Sequence, residues 1–180
     1  DVPKEEIPIK ETHPFRPANP YAVSKVGEDM IAYQYWKSHN LRIIRTRFFT
    51  HTGARRKMLS AECNFARQIA LIEKGKQEPV LKHGNLNSVR TWANAKDAVQ
   101  GYYELSKKGK IGEVYNIAGA EQKTIGEMLK YMISLSPMKD KIKLEEDPSL
   151  ARKSDVNLQI VDTTKFKEAT GYKFTIPFEQ

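Results

Sequence analysis

Apolar residues at helical spacing alternate along this chain with short β-branched runs, and that alternation leaves few architectures open. Val23, Val26, Met30 and Tyr33 recur at three- and four-residue steps behind Pro20, which predicts a helix over 22–38. "NLRIIRTRFF" (40–49) reads as a strand, and 50–56 as a polar turn around Gly53. A second helix is predicted at about 61–74, where Phe65, Ile69 and Ile72 share a face and Gly75 ends it. Short strands follow near 79–82 and 88–92, then a helix at about 94–107 with Ala98, Val99, Tyr102 and Leu105 at helical spacing. "EVYNIAG" is a strand closed by Gly119, and Thr124 with Glu127 resembles a capping box for a helix to about 135. Residues 136–149 read as a loop, "LQIVD" as a strand, and 163–170 as a helix. Helices interleaved with strands define an α/β class.

With 180 residues, 39% hydrophobic and 29% charged, the chain is the size of one ordinary domain or the larger part of something bigger. No apolar run approaches a membrane span, and the single cysteine, Cys63, excludes an internal disulfide framework. A cytoplasmic location is the expectation. The first twenty residues hold five prolines and start without methionine, so a missing N-terminal part is expected. The net charge of +8 suits a nucleic-acid surface, a pocket for anionic small molecules, or a solvated basic surface. Arg45, Arg47, Arg55, Arg56, Arg90 and Arg152 lie beside strand-like or turn-like segments, and arginine forks favour a diphosphate ligand. Trp92, Tyr102 and Tyr103 fall at core-like positions, so packing accounts for them better than base stacking, and no nucleic-acid-binding pattern is present. The four histidines have no ligand spacing with Cys63, so no metal is expected.

Three of the eight tyrosines have a lysine four residues on: Tyr21/Lys25, Tyr33/Lys37 and Tyr103/Lys107. A phenol is ordinarily a poor base at neutral pH, and an ammonium one helical turn away favours its ionised form. Such a pair can move the proton of a sugar hydroxyl. Most Tyr-x-x-x-Lys spacings are only a packed ring and a solvated lysine, so spacing alone does not choose among the three.

Context chooses Tyr21. "RPANPYAVSKVGED" resembles the active-site segment of extended short-chain dehydrogenase/reductases that act on nucleotide sugars. "RTRFFTHTGARR", "NFARQIALIEKG", "GNLNSVRTWANAKDAV" and "RKSDVNLQIVDTTKFKEATGYK" resemble four further segments of that family in the same order. Gly84-Asn85-Leu86, His51 and the Arg55/Arg56 pair point to its GDP-mannose 4,6-dehydratase branch. The resemblance implies the end of a Rossmann-type doubly wound sheet plus a smaller α/β substrate-binding domain. The first would occupy 1–56, and the second mainly 57–180, interleaved with it.

Tyr21 and Lys25 are then the catalytic pair, both also touching NADP or NAD, while His51 and Arg56 match further cofactor contacts. Arg90 and Arg152 match positions that clamp the diphosphate or ribose, and Asp155 matches an acidic position that accepts from ribose hydroxyls. Thr50, Asn64 and Gln68 complete the implied substrate-binding set, although a solvated helix face is an equal account of Asn64 and Gln68. The ligand implied is a GDP-sugar, and the assembly a homodimer or homotetramer through the Tyr21 helix.

Departures from the family pattern are specific. Thr50 stands where the family usually has Asn, which loses the carboxamide's reach; Thr91 replaces Asp, Ala54 and Lys153 replace Pro. The ten glycines contain no G-x-G-x-x-G, and the catalytic Ser/Thr and its acidic neighbour would fall before Asp1. Dehydratase, reductase and non-catalytic GDP-sugar-binding module all stay open on these residues.

Overall fold

The computed structural model describes residues 2–57, 60–150 and 157–179. Helix α1, Pro20–His39, starts because the Asn19 side chain accepts from the Ala22 N–H at 2.8 Å and proline occupies the first turn. It stops at Asn40, whose φ of 54° is left-handed. The strand expected over 40–49 is shorter: β1 is Arg45–Phe48, because Asn40 turns the chain and Ile43 N–H closes on the Leu41 carbonyl. The expected turn at 50–56 begins with a further short strand, β2 (His51–Thr52).

Next come α2 (Ala61–Glu73), β3 (Val80–His83), β4 (Val89–Asn94) and α3 (Ala95–Lys108). After β5 (Val114–Ile117), a strand absent from the sequence reading, β6 (Glu121–Thr124), leads into α4 (Ile125–Ser134). The Thr124/Glu127 capping box is present in full. The segment read as a loop contains β7 (Lys143–Glu146), and the chain closes with β8 (Leu158–Gln159) and α5 (Thr164–Thr170). Alternation did not reveal β7, because its four residues are all exposed and show no buried face.

β1 pairs in parallel with β5, and β3 in parallel with β7. β4 is the hub of the remaining sheet. Antiparallel β6 lies along one edge of it, from Val89 to Trp92. On the other edge β8 and β2 lie end to end: Arg90 pairs with Gln159, and Ala93 with His51. Glycine is required at 119, where a Cβ would overlap the Trp92 carbonyl.

Two cores result. Phe65, Ile69, Leu81, Trp92, Met128 and Leu129 seal α2 and α4 onto the sheet, while Leu105, Tyr115, Ile117 and Phe166 hold α3 and α5 against β5. Trp92 is a core residue, but Tyr102 and Tyr103 are 40% and 50% exposed, which corrects their core assignment. The buried stripe of α3 runs through Ala98, Gly101 and Leu105, one position round from the face read off the sequence. No residue of helix α1 is fully buried, although the Asp29 side chain is nearly so. Among the described residues no helix is long and apolar enough to cross a membrane.

Candidate active site

The cap at Asn19 puts Tyr21 in the first turn of α1, where it is 71% exposed. Lys25 lies one turn on, with Nζ 5.7 Å from the Tyr21 ring centroid. Both carboxylate oxygens of Glu28 accept from that ammonium at 2.9 Å. The Glu28 hydrogen bond raises the Lys25 pKa above its ordinary value, with desolvation working against it. The Tyr102 ring on α3 packs on Phe48 at 5.4 Å, and Phe48 in turn meets His51 edge-on at 4.6 Å. The rings of Tyr102, Phe48 and His51 thus link α3 to the start of β2.

The other two Tyr/Lys pairs differ in surroundings. The Tyr33 ring lies under the Arg45 guanidinium at 4.9 Å, and Lys37 stands over Trp36. Lys107 sits over the exposed ring of Tyr103 at 4.1 Å, at the far end of α3.

His51 holds the Phe49 carbonyl through Nδ1 at 3.0 Å. Arg56 folds back on the His51 carbonyl and pairs with Glu62 at 3.0 Å, which ties the β2–α2 turn together. Thr50 donates its hydroxyl to Gln159 Oε1 at 3.2 Å, and Thr50 O accepts from Ala93 N–H on β4. Arg90, beside Gln159 in register, donates to the Val89 carbonyl at 2.9 Å. Thr50, Arg90 and Gln159 therefore converge on one edge of β4. Arg152 and Asp155 lie outside the described residues.

Asn64 and Gln68 line a cavity of about 560 Å³ with Arg67, Lys82 and Asp147. Gln68 is buried, and its carboxamide takes both backbone groups of Lys82: Oε1 accepts from N–H at 2.8 Å and Nε2 donates to the carbonyl at 2.9 Å. It occupies the edge of β3 as a strand would, and it has little left to offer a ligand. Asn64 accepts from Gln68 Nε2 and stays half-buried at the cavity wall.

Arg45 and Arg47, expected near a diphosphate, both grip Asp29 of α1, at 2.7 and 2.8 Å. They anchor the Tyr21 helix to β1. Glu28 and Gln159 are the site neighbours that sequence reasoning did not single out. The three-residue step from Lys25 to Glu28 carried a signal; Gln159 carried none, because its partners are 109 and 69 positions away. Among the described residues no cluster of three His, Cys, Asp or Glu could hold a metal.

A family model described as GDP-mannose 4,6 dehydratase matches residues 3–180. A GDP-6-deoxy-D-mannose reductase of Pseudomonas aeruginosa is 26% identical over 179 residues, which cover 99% of this chain and 58% of that protein. A dTDP-glucose 4,6-dehydratase of Haemophilus influenzae is 30% identical over 189 aligned positions, covering all of this chain and 54% of the relative. The structure of RMD from Pseudomonas aeruginosa complexed with NADPH superposes with a TM-score of 0.89 at 26% identity, over 99% of this chain and 59% of that one. The chain spans little more than half the length of the relatives it matches.

Proposed function

The chain belongs to the GDP-mannose 4,6-dehydratase family, and from that membership we propose that it supplies the acid/base pair and the sugar-nucleotide contacts of an NAD(P)-dependent enzyme acting on GDP-sugars. The observation that carries this reading is the Tyr21/Lys25 pair at the accessible first turn of α1, with the ammonium held by Glu28. Residues 1–56 belong to the cofactor side of the site, and 57–180 mainly to the sugar-nucleotide side.

The cofactor, when bound, accepts hydride from the sugar and returns it. Tyr21 takes the proton of the C4 hydroxyl, and the Lys25 cation stabilises the charge that develops on the phenol oxygen. Lys25 would also hold the nicotinamide ribose, and His51 and Arg56 would contribute to the same end of the cofactor. These residues fit only that end of a dinucleotide, since the sequence has no glycine-rich loop for the pyrophosphate. Arg90, Arg152 and Asp155 hold the diphosphate and ribose, with Thr50 at the same edge of β4, and Asn64 contributes from the α2 cavity. In the dehydratase reading the sugar would lose water across C5–C6 and be reduced at C6, with a proton returned to C5.

A second reading is a reductase with one net hydride transfer, favoured by the 26% identity over 99% of this chain to the GDP-6-deoxy-D-mannose reductase of Pseudomonas aeruginosa. The assembly we infer is a homodimer or homotetramer through α1, whose Val23, Met30, Ile31 and Tyr35 are exposed on a helix with no buried residue.

Incubating the natural protein that carries these residues with GDP-mannose and NADP, and separately with GDP-4-keto-6-deoxymannose and NADPH, tests the proposal. Conversion of the first supports the dehydratase and of the second the reductase. Conversion of neither, with no affinity for GDP by calorimetry, overturns both.

A further inference from the structure

The carboxamide that the family pattern places on residue 50 is absent from this sequence, where Thr50 stands instead. A carboxamide nevertheless occupies the same neighbourhood. β8 ends at Gln159 beside Arg90, and β2 begins at His51 beside Ala93, so the two strands meet end to end along one edge of β4. Thr50 sits at that junction. Its carbonyl is held by Ala93 N–H at 3.1 Å, which fixes the residue, and its hydroxyl donates to Gln159 Oε1 at 3.2 Å. Thr91 approaches the Gln159 backbone carbonyl from β4 at 3.5 Å.

An oxygen held in this way decides where the rest of the amide points. Gln159 is half-buried, and its Nε2 has no hydrogen-bond partner among the described residues. That NH₂ is not sealed in the interior, because it is absent from the buried side-chain atoms that lack partners. A donor fixed at one end and open at the other, next to an arginine in register, is arranged to meet an oxygen-rich anionic ligand.

We propose that Gln159 is a substrate-binding residue, oriented by Thr50, whose Nε2 donates to an oxygen of the diphosphate–ribose portion of the nucleotide sugar beside Arg90. This rests on the GDP-sugar reading given above. Thr50 then acts through Gln159 rather than by its own contact. The family's carboxamide on the β1–β2 junction is replaced by one on β8.

The test is GDP binding to the full chain, followed by calorimetry and by the side-chain amide resonance of Gln159, assigned from its loss in Gln159→Leu. The Gln159 NH₂ resonance is expected to move on GDP addition, and Gln159→Leu to weaken GDP about tenfold. Thr50→Val should cause a similar loss, and the double variant Thr50→Val/Gln159→Leu no more than either alone. Thr50→Asn in the Gln159→Leu background should recover most of the affinity, because it returns a carboxamide to the same junction. A merely structural Gln159 would not be rescued from another strand. If GDP binds and Arg90→Ala weakens it while the Gln159 resonance stays still and Gln159→Leu is silent, this inference is wrong and the GDP-sugar reading stands. If the chain shows no affinity for GDP and Arg90→Ala changes nothing, the reading fails and takes the inference with it.

Discussion

The carboxylate of Asp97, in the first turn of α3, accepts the hydroxyl of Tyr172 at 2.8 Å, across 75 positions of sequence. Its other oxygen accepts the backbone N–H groups of Thr175 and Ile176, each at 2.8 Å. One buried acid thereby fastens the C-terminal segment to the helix behind β4. Asp97→Ala strands two backbone donors and a phenol, and is expected to cost on the order of 3 kcal/mol in urea unfolding. A loss below about 0.5 kcal/mol would show that the segment is held by its aromatic contacts alone.

The same bond gives an alkaline signature. Burial and the Asp97 hydrogen bond push the Tyr172 phenol up to about 12. A folded-state pKa above the unfolded value means that the contribution is fully present below about pH 10 and is lost as pH rises toward 12. Unfolding free energy measured between pH 9 and 12 should therefore fall less steeply in Tyr172→Phe than in the natural chain.

Asp29 binds the Tyr21 helix to β1 through Arg45 and Arg47, and all three side chains are mostly buried. Asp29→Ala leaves two guanidinium groups without their carboxylate, which typically costs about 3–5 kcal/mol. Urea unfolding checks this, and limited proteolysis should show cleavage within 20–39 before the rest of the chain opens.

For the chemistry, Tyr21→Phe in the natural protein should abolish turnover while GDP binding stays within a few fold, because the ring remains and only the proton carrier goes. Retention of more than about a tenth of turnover would remove Tyr21 from the acid/base role. Lys37→Ala and Tyr103→Phe should leave turnover intact.

Glu28 keeps the Lys25 ammonium charged to higher pH. Turnover that needs the cation is lost as pH rises through the Lys25 pKa, so Glu28→Gln should bring that loss to lower pH without a change on the acid side. An unmoved alkaline limb would mean that Lys25 works elsewhere than beside Glu28.

On α1, Ile31 is 60% exposed and Val23 55%. Ile31→Glu should convert the proposed dimer to monomer in light scattering at micromolar concentration, with circular dichroism unchanged. A natural chain that is already monomeric would remove this expectation.

Periodicity and end signals were enough for the α/β class and most elements, because Pro20, the Thr124/Glu127 capping box and the apolar spacing of α2 are local properties of the chain. The residues at Tyr21, Lys25, Thr50, His51, Arg56 and Arg90 could be singled out for the same reason: they sit in ordered segments that resemble a family. What no local signal contained was pairing. β7 has no buried face, so only its register against β3 makes it a strand. Arg45 and Arg47 look like anion ligands until Asp29 is folded against them. Gln68 looks like a ligand contact until its amide meets Lys82, and Gln159 like any strand residue until Thr50 reaches it. A side chain's type is set by its own position, but its partner is set by which strands share an edge, and those strands lie up to 109 residues apart.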